Sequence, residues 1–128
     1  MNYSIITTFR FGKELKRLAK KFPSLKTEFA KLIKALSDNP ATGIFIGNNC
    51  YKIRMAIGSK GRGKWGGARV ISYLYIKTET VYLLTIYDKG EKGNLKPNEL
   101  KEMVDSLEMD EWSSIIRTGG KKGTLLYK

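Results

Sequence analysis

Between Asn39 and Thr78 the chain carries seven cations and no acid: Lys52, Arg54, Lys60, Arg62, Lys64, Arg69 and Lys77. Lys89 and Lys92 follow a little further on, with Tyr87 beside them. Side chains of this kind do one thing well, which is to hold phosphate oxygens, and a one-signed segment on a balanced remainder fits a phosphate-bearing partner, most simply nucleic acid. The remainder is balanced, since the last 51 residues hold nine acids against eight bases within a net charge of +12. A solvated basic surface or a patch for anionic lipid is the plainer reading of the same charge. The chemistry is bounded from the other side by what is missing. There is no histidine, which excludes His-dependent triads, His-based ribonucleases and most zinc hydrolases. The single Cys50 can form neither an internal disulfide nor a cysteine metal site, so a reducing compartment is expected, with no metal and no cofactor.

Cations scattered over forty residues act together only if the fold gathers them. The stretch that can do so is Ala68 to Lys92, where two β-branched and aromatic runs, Ala68 to Lys77 and Thr80 to Tyr87, flank a polar Thr78-Glu79 break and predict a β-hairpin. Both runs are apolar on both faces, as strands in the middle of a covered sheet are. An antiparallel pairing places Arg69, at the start of the first strand, beside Lys89 and Lys92, just past the end of the second. Upstream, Gly43 to Gly47 predicts a short strand, and Asn48-Asn49 a tight turn into a strand over Cys50 to Ile57. Side chains alternate along a strand. Tyr51, Ile53, Met55 and Ile57 therefore share one face, while Cys50, Lys52, Arg54 and Ala56 share the other. If the first set packs on helices, Lys52 and Arg54 look out from the opposite side.

The helices are legible as apolar stripes. After a predicted first strand over Asn2 to Thr8, Phe11, Leu15, Leu18 and Phe22 recur at helical spacing, with five cations on other faces. Pro23-Ser24 interrupts the pattern, and Ser24 is expected to cap a second helix with the stripe Leu25, Phe29, Leu32, Ile33 and Leu36. A third helix is expected from Pro97, with Glu99 near its third position and the stripe Leu100, Met103, Val104 and Leu107. Beyond it, a short helix around Trp112 and a mobile tail are expected. Gly58 to Gly67 contains partial matches to dinucleotide and P-loop glycine patterns, but a strand follows where both need a helix, and Trp65 stands where a P-loop needs Ser or Thr. The segment is better read as a glycine-rich flap in which Lys60, Arg62, Lys64 and Trp65 meet an RNA backbone and a stacking base.

Cys-Tyr-Lys-Ile-Arg (50–54), Gly-Gly-Ala-Arg-Val-Ile (66–71) and Leu-Leu-Thr-Ile-Tyr-Asp-Lys-Gly-Glu-Lys (83–92), in the order strand, two helices, four strands, helix, resemble the RelE/HigB toxins of bacterial toxin–antitoxin pairs. The opening Phe-Gly-Lys-Glu-Leu-Lys-Arg-Leu-Ala-Lys-Lys-Phe-Pro-Ser-Leu (11–25) is similar to the HigB branch. The resemblance spans roughly residues 3 to 107. It implies an α+β, RelE-like fold: a mostly antiparallel sheet of about five strands on an N-terminal α-hairpin, with a further C-terminal helix. The toxin domain would be 1–107, and 108–128 an extension. It also implies ribosome-dependent mRNA cleavage, in which a ribose 2′-hydroxyl attacks the adjacent phosphate, and an antitoxin partner, a HigA-like helix-turn-helix protein. Carried over by position, the catalytic set is Lys52, Arg54, Arg69 and Lys89. Where the RelE branch has a tyrosine beyond that last cation this chain has Leu95, which leaves Tyr87 and Lys92 as substitutes for the general acid.

A lysine near its ordinary pKa of about 10.4 is a poor base at neutral pH, so the more natural role for these cations is to stabilise the negative pentacovalent phosphorane. Two other readings stay open: a ParE-like gyrase poison of the same fold, and a non-catalytic nucleic-acid-binding module. The sequence has no run of 18 apolar residues and no basic leader ahead of an apolar stretch, and it is expected to be cytoplasmic and away from membranes.

Overall fold

The computed structural model describes residues 3–58 and 66–118, the segment 108–118 by its backbone. Strand β1 (Ser4–Thr7) leads directly into helix α1 (Phe9–Lys21) and helix α2 (Leu25–Asp38). Strands β2 (Ile44–Gly47), β3 (Cys50–Met55), β4 (Ala68–Tyr75) and β5 (Thr80–Asp88) follow, and helix α3 (Pro97–Thr118) ends the described chain. The sheet order is β1-β5-β4-β3-β2. β1 runs parallel to β5 and every other pairing is antiparallel. The architecture is thus the expected α+β one, a mostly antiparallel five-stranded sheet with an α-hairpin and a later helix.

Two cores lie on the two faces of this sheet. On one, Phe11, Leu15 and Leu18 of α1 and Leu25, Phe29, Leu32 and Leu36 of α2 pack against Ile53, Met55, Val70, Val81, Leu83 and Ile86. Phe11 and Phe29, both fully buried, meet ring to ring at 5.6 Å, and burying each is worth roughly 2 kcal/mol. On the other face, Leu100, Met103, Val104 and Leu107 of α3 pack against Cys50, Ile71, Tyr82, Leu84 and Tyr87. That is why β4 and β5 read as apolar on both sides.

Local chemistry sets the joints. Thr8 caps α1, its hydroxyl oxygen accepting from the Phe11 amide at 3.1 Å while its O–H reaches the Leu83 carbonyl at 3.0 Å, so the start of α1 is sewn to β5. Asn48 and Asn49 take φ of 53° and 60°, the left-handed turn expected between β2 and β3. Ser24 differs from expectation. It is helical in φ and ψ and makes no side-chain cap bond, because the chain turns tightly there and the Leu25 amide bonds the Phe22 carbonyl at 3.0 Å. β4 ends at Tyr75, and Ile76–Thr78 form a 3₁₀ turn closed by left-handed Glu79, so Lys77 stands on that turn rather than on a strand. The helix expected around Trp112 is a continuation of α3. No helix among the described residues is long and apolar enough to cross a membrane.

Candidate functional site

Strand register does most of the assembly. Arg54 on β3 pairs with Arg69 on β4, and Arg69 pairs with Tyr87 on β5. Directly paired residues project to one face, so the three side chains form a single row across neighbouring strands, spanning about 10 Å at the ordinary strand spacing. The face is fixed by the neighbours: Met55 and Val70 belong to the core under α1 and α2, and Tyr87 to the core under α3. Lys52 lies on the same face, about 7 Å along β3 from Arg54, in the row Lys52, Ile71, Thr85. Lys52 and Arg54 therefore do share the face opposite to that of Ile53 and Met55.

The face is not open, however. α3 covers part of it, and Arg69 is only 2% exposed while Arg54 is exposed and Lys52 half-buried. The row thus runs from a surface arginine through a buried one to a buried tyrosine. One guanidinium N–H of Arg69 donates to the Ala68 carbonyl at 3.1 Å. Burial depresses its pKa first and the charge of Arg54 second, with the phenol of Tyr87 acting the other way. An arginine stays ionised through such shifts, so a fixed positive charge sits in a poorly solvated place, where its field on a nearby anion is strong. Tyr87 is raised, mainly by burial, with Glu99 adding to the rise and Arg69 opposing it. The rise makes the phenol a weaker acid, so it stays protonated at physiological pH. Its hydroxyl is buried and has no hydrogen-bond partner among the described residues.

The loop after β5 brings in the remaining cations. The Asp88 carbonyl accepts from both the Glu91 and Lys92 amides at 2.9 Å, and its carboxylate accepts from the Gly90 amide, a compact turn held by one aspartate. The Lys89 amide donates to the Gly67 carbonyl at 3.1 Å, continuing the β4–β5 ladder, and its side chain is exposed at that rim. The Lys92 ammonium stands 5.9 Å from the centre of the Tyr87 ring and forms a 2.6 Å ion pair with Glu99. Glu91 ties the same turn to α1, meeting Arg17 at 2.9 Å and Lys21 at 3.1 Å. These pairs hold its carboxyl down to about 2.

Of the ten residues expected to make the site, Arg54, Arg69 and Tyr87 meet in one row, Lys52 shares their face, Lys92 joins at Tyr87, and Lys89 stands at the adjoining rim. Lys60, Arg62, Lys64 and Trp65 lie outside the described residues. Glu91 and Glu99 were not among the expected site residues. Glu99 was visible in the sequence only as a helix-start residue and Glu91 only as a charge. Among the described residues no three His, Cys, Asp or Glu side chains gather where they could hold a metal ion. Burial pushes the Cys50 thiol up to about 12, so it is no nucleophile.

No family model matches the sequence. Solved structures do resemble the fold. A double arginine-to-alanine variant of the E. coli toxin RelE in the free state superposes with a TM-score of 0.53 at 16% identity, covering 73% of this chain and 90% of that one. The RelBE2 toxin–antitoxin complex of Mycobacterium tuberculosis gives 0.51 at 20% identity over 69% and 99%. The isolated E. coli RelE toxin gives 0.50 at 18% identity over 82% and 98%. At these identities the likeness is one of fold: the chain has the fold of the RelE toxins.

Proposed function

We propose that this RelE-fold chain is the toxin of a toxin–antitoxin pair and an endoribonuclease that cuts mRNA on the ribosome, without a metal. The observation that carries the reading is the cross-strand row Arg54, Arg69, Tyr87, flanked by Lys52 and Lys92, on a fold shared with toxins. A protein that only grips a backbone has no use for a buried arginine opposite a buried, neutral phenol. The resemblance of the sequence motifs to the RelE/HigB group points the same way.

In the reaction the ribose 2′-oxygen forms a bond to the adjacent phosphorus and the bond from phosphorus to the 5′-oxygen breaks. The products are a 2′,3′-cyclic phosphate and a free 5′-hydroxyl. The phosphorane between them carries extra negative charge on its equatorial oxygens. Arg54, at the open end of the row, and Arg69, behind it, are suited to that charge, and fixed donors aimed where charge develops typically contribute about 3 kcal/mol each. Lys52 adds a further cation along the same strand. The leaving 5′-oxygen needs a proton, which the protonated phenol of Tyr87 can donate to a far more basic alkoxide; Lys92 beside it is the second donor. The 2′-hydroxyl proton passes to solvent water at the exposed Arg54 end of the row, since no cation there is suited to accept it, and the burden falls on stabilising charge. Lys89, the fourth cation of the catalytic set, adds charge from the adjoining rim, and the flap residues Lys60, Arg62, Lys64 and Trp65 bind RNA in this reading.

The partners follow. The mRNA and the ribosome are substrate and platform, and a HigA-like antitoxin supplies an acidic or amphipathic segment to the basic surface. Residues 1–107 form the toxin domain and 108–128 its extension. The test is to incubate the purified protein with mRNA-programmed ribosomes and read the transcript by primer extension. Cuts inside the reading frame ending in 5′-hydroxyls are expected. Intact mRNA, together with gyrase-linked DNA breaks on expression, would instead establish the gyrase-poison reading.

A further inference from the structure

We propose that Glu99 is a positioning residue of this site: by holding the Lys92 ammonium against the ring of Tyr87, it sets the geometry of the proton-donating pair. The inference rests on the nuclease reading. Both carboxylate oxygens of Glu99 are engaged. One carboxylate oxygen accepts from the Lys96 backbone amide at 3.0 Å, and the other meets Lys92 at 2.6 Å. With Pro97 at the first helical position, the Lys96 contact is half of a capping box, the element that fixes a helix start. α3 is in turn fixed on the sheet by Leu100, Met103, Val104 and Leu107. The carboxylate is therefore anchored at a rigid point, and Lys92 is brought to it.

Lys92 by itself would not stay there. It lies on the turn after β5, its side chain about a third exposed, and a lysine has a long stem whose freedom must be lost to place its head. The row it approaches at Tyr87 already contains two cations, Arg54 and Arg69. The Glu99 carboxylate supplies the compensating charge for Lys92, and it also acts electrostatically on Tyr87 itself. The groups facing the phenol are thus Arg69 from β4, Lys92 from the turn and Glu99 from α3, with Arg54 one strand further. Glu99 does not reach the reacting atoms in this arrangement. It acts through Lys92.

Glutamine separates the two jobs of this side chain. Gln serves the capping box as well as Glu does, so Glu99→Gln keeps the helix start and removes only the charge that holds Lys92. A positioned acid–base group contributes about 10²- to 10⁴-fold. Loosening one of two donors without deleting it should cost about tenfold. The experiment measures single-turnover cleavage of ribosome-bound mRNA by wild type, Glu99→Gln, Lys92→Met and the double variant, with melting temperatures for all four. Glu99→Gln is expected to lower the rate at saturating protein about tenfold, leave the half-saturating concentration and melting temperature unchanged, and cause no further loss in the Lys92→Met background.

Three outcomes overturn the proposal. A Glu99→Gln rate equal to wild type removes it outright. A tenfold loss repeated in full on Lys92→Met shows that Glu99 does not act through Lys92. A fall in melting temperature of more than about 4 °C assigns Glu99 to the cap alone. If the wild type itself cuts nothing, the nuclease reading fails along with it, whereas a cutting wild type with an unaffected Glu99→Gln sinks only the positioning role.

Discussion

Glu91→Gln tests whether the turn that carries Lys89 and Lys92 is clamped as the structure indicates. In the native protein Glu91 meets Arg17 and Lys21 of α1, and its carboxyl is held down from 4.5 to about 2. The partner responds in the matching direction, since Arg17 is raised by the same contact. At face value a depression of that size corresponds to about 3 kcal/mol. All three side chains are substantially exposed, at 37% for Glu91, 59% for Arg17 and 52% for Lys21, so solvent screening reduces this to about 1 kcal/mol. The sign is that of a carboxylate with a depressed native pKa. Its contribution is fully present above the unfolded value near 4.5 and is lost as pH falls toward about 2. Urea unfolding of wild type and Glu91→Gln from pH 7 to pH 2 should therefore give curves about 1 kcal/mol apart at neutral pH that converge at the acid end, with the gap narrowing in about 1 M salt. Parallel curves over the whole range would refute the clamp.

Two further outcomes follow from the geometry. Gly67→Ala should prevent folding or destabilise by more than about 3 kcal/mol in thermal unfolding, because a Cβ there would lie 2.2 Å from the Met55 carbonyl oxygen and 3.1 Å from the Ala56 Cα, both backbone atoms that cannot swing aside. A stable Gly67→Ala protein with unchanged spectra would contradict the close approach of β3 and β4 that sets the arginine row. Tyr87→Phe deletes a buried hydroxyl that has no hydrogen-bond partner among the described residues, so stability should stay within about 1 kcal/mol of wild type or rise, while cleavage falls at least about tenfold. A large loss of stability with full cleavage would reverse the role assigned to that side chain.

Much of this arrangement could be read from the sequence where the signal was local. The alternation Tyr51, Ile53, Met55 against Lys52, Arg54 was enough to place the two cations away from α1 and α2, because the pleat leaves no other choice. The Asn48-Asn49 turn followed from the tolerance of asparagine for positive φ. The stripes of α1 and α2 identified their buried faces, with Phe22 and Ile33 only partly buried at the margins. What could not be read was which face of the sheet α3 would take. Its stripe, Leu100 to Leu107, asks only for an apolar surface, and β4 and β5 offer two. The burial of Tyr87 among the apolar residues of α3 follows from that docking, and Arg69, expected beside Lys89 and Lys92 at the end of the hairpin, is 2% exposed. The register shift between Ile71 and Ser72, which moves the facing of every residue beyond it, left no local mark either. The acids found around the candidate site, Glu91 and Glu99, make contacts across 74 and 7 residues of chain, and pairs of that kind belong to tertiary structure. Ser24 shows the opposite error, a local cap signal overridden where the chain turns tightly into α2.

The central claim is that a buried arginine at the middle of a three-strand row turns a binding face into a cutting one. Arg69→Met, which keeps the volume of the side chain and removes its charge, should be assayed by primer extension on mRNA-programmed ribosomes beside the wild type. The account predicts cleavage reduced at least about 100-fold in a protein that still melts cooperatively and still binds ribosomes. Cleavage at the wild-type rate by a folded Arg69→Met protein would contradict it.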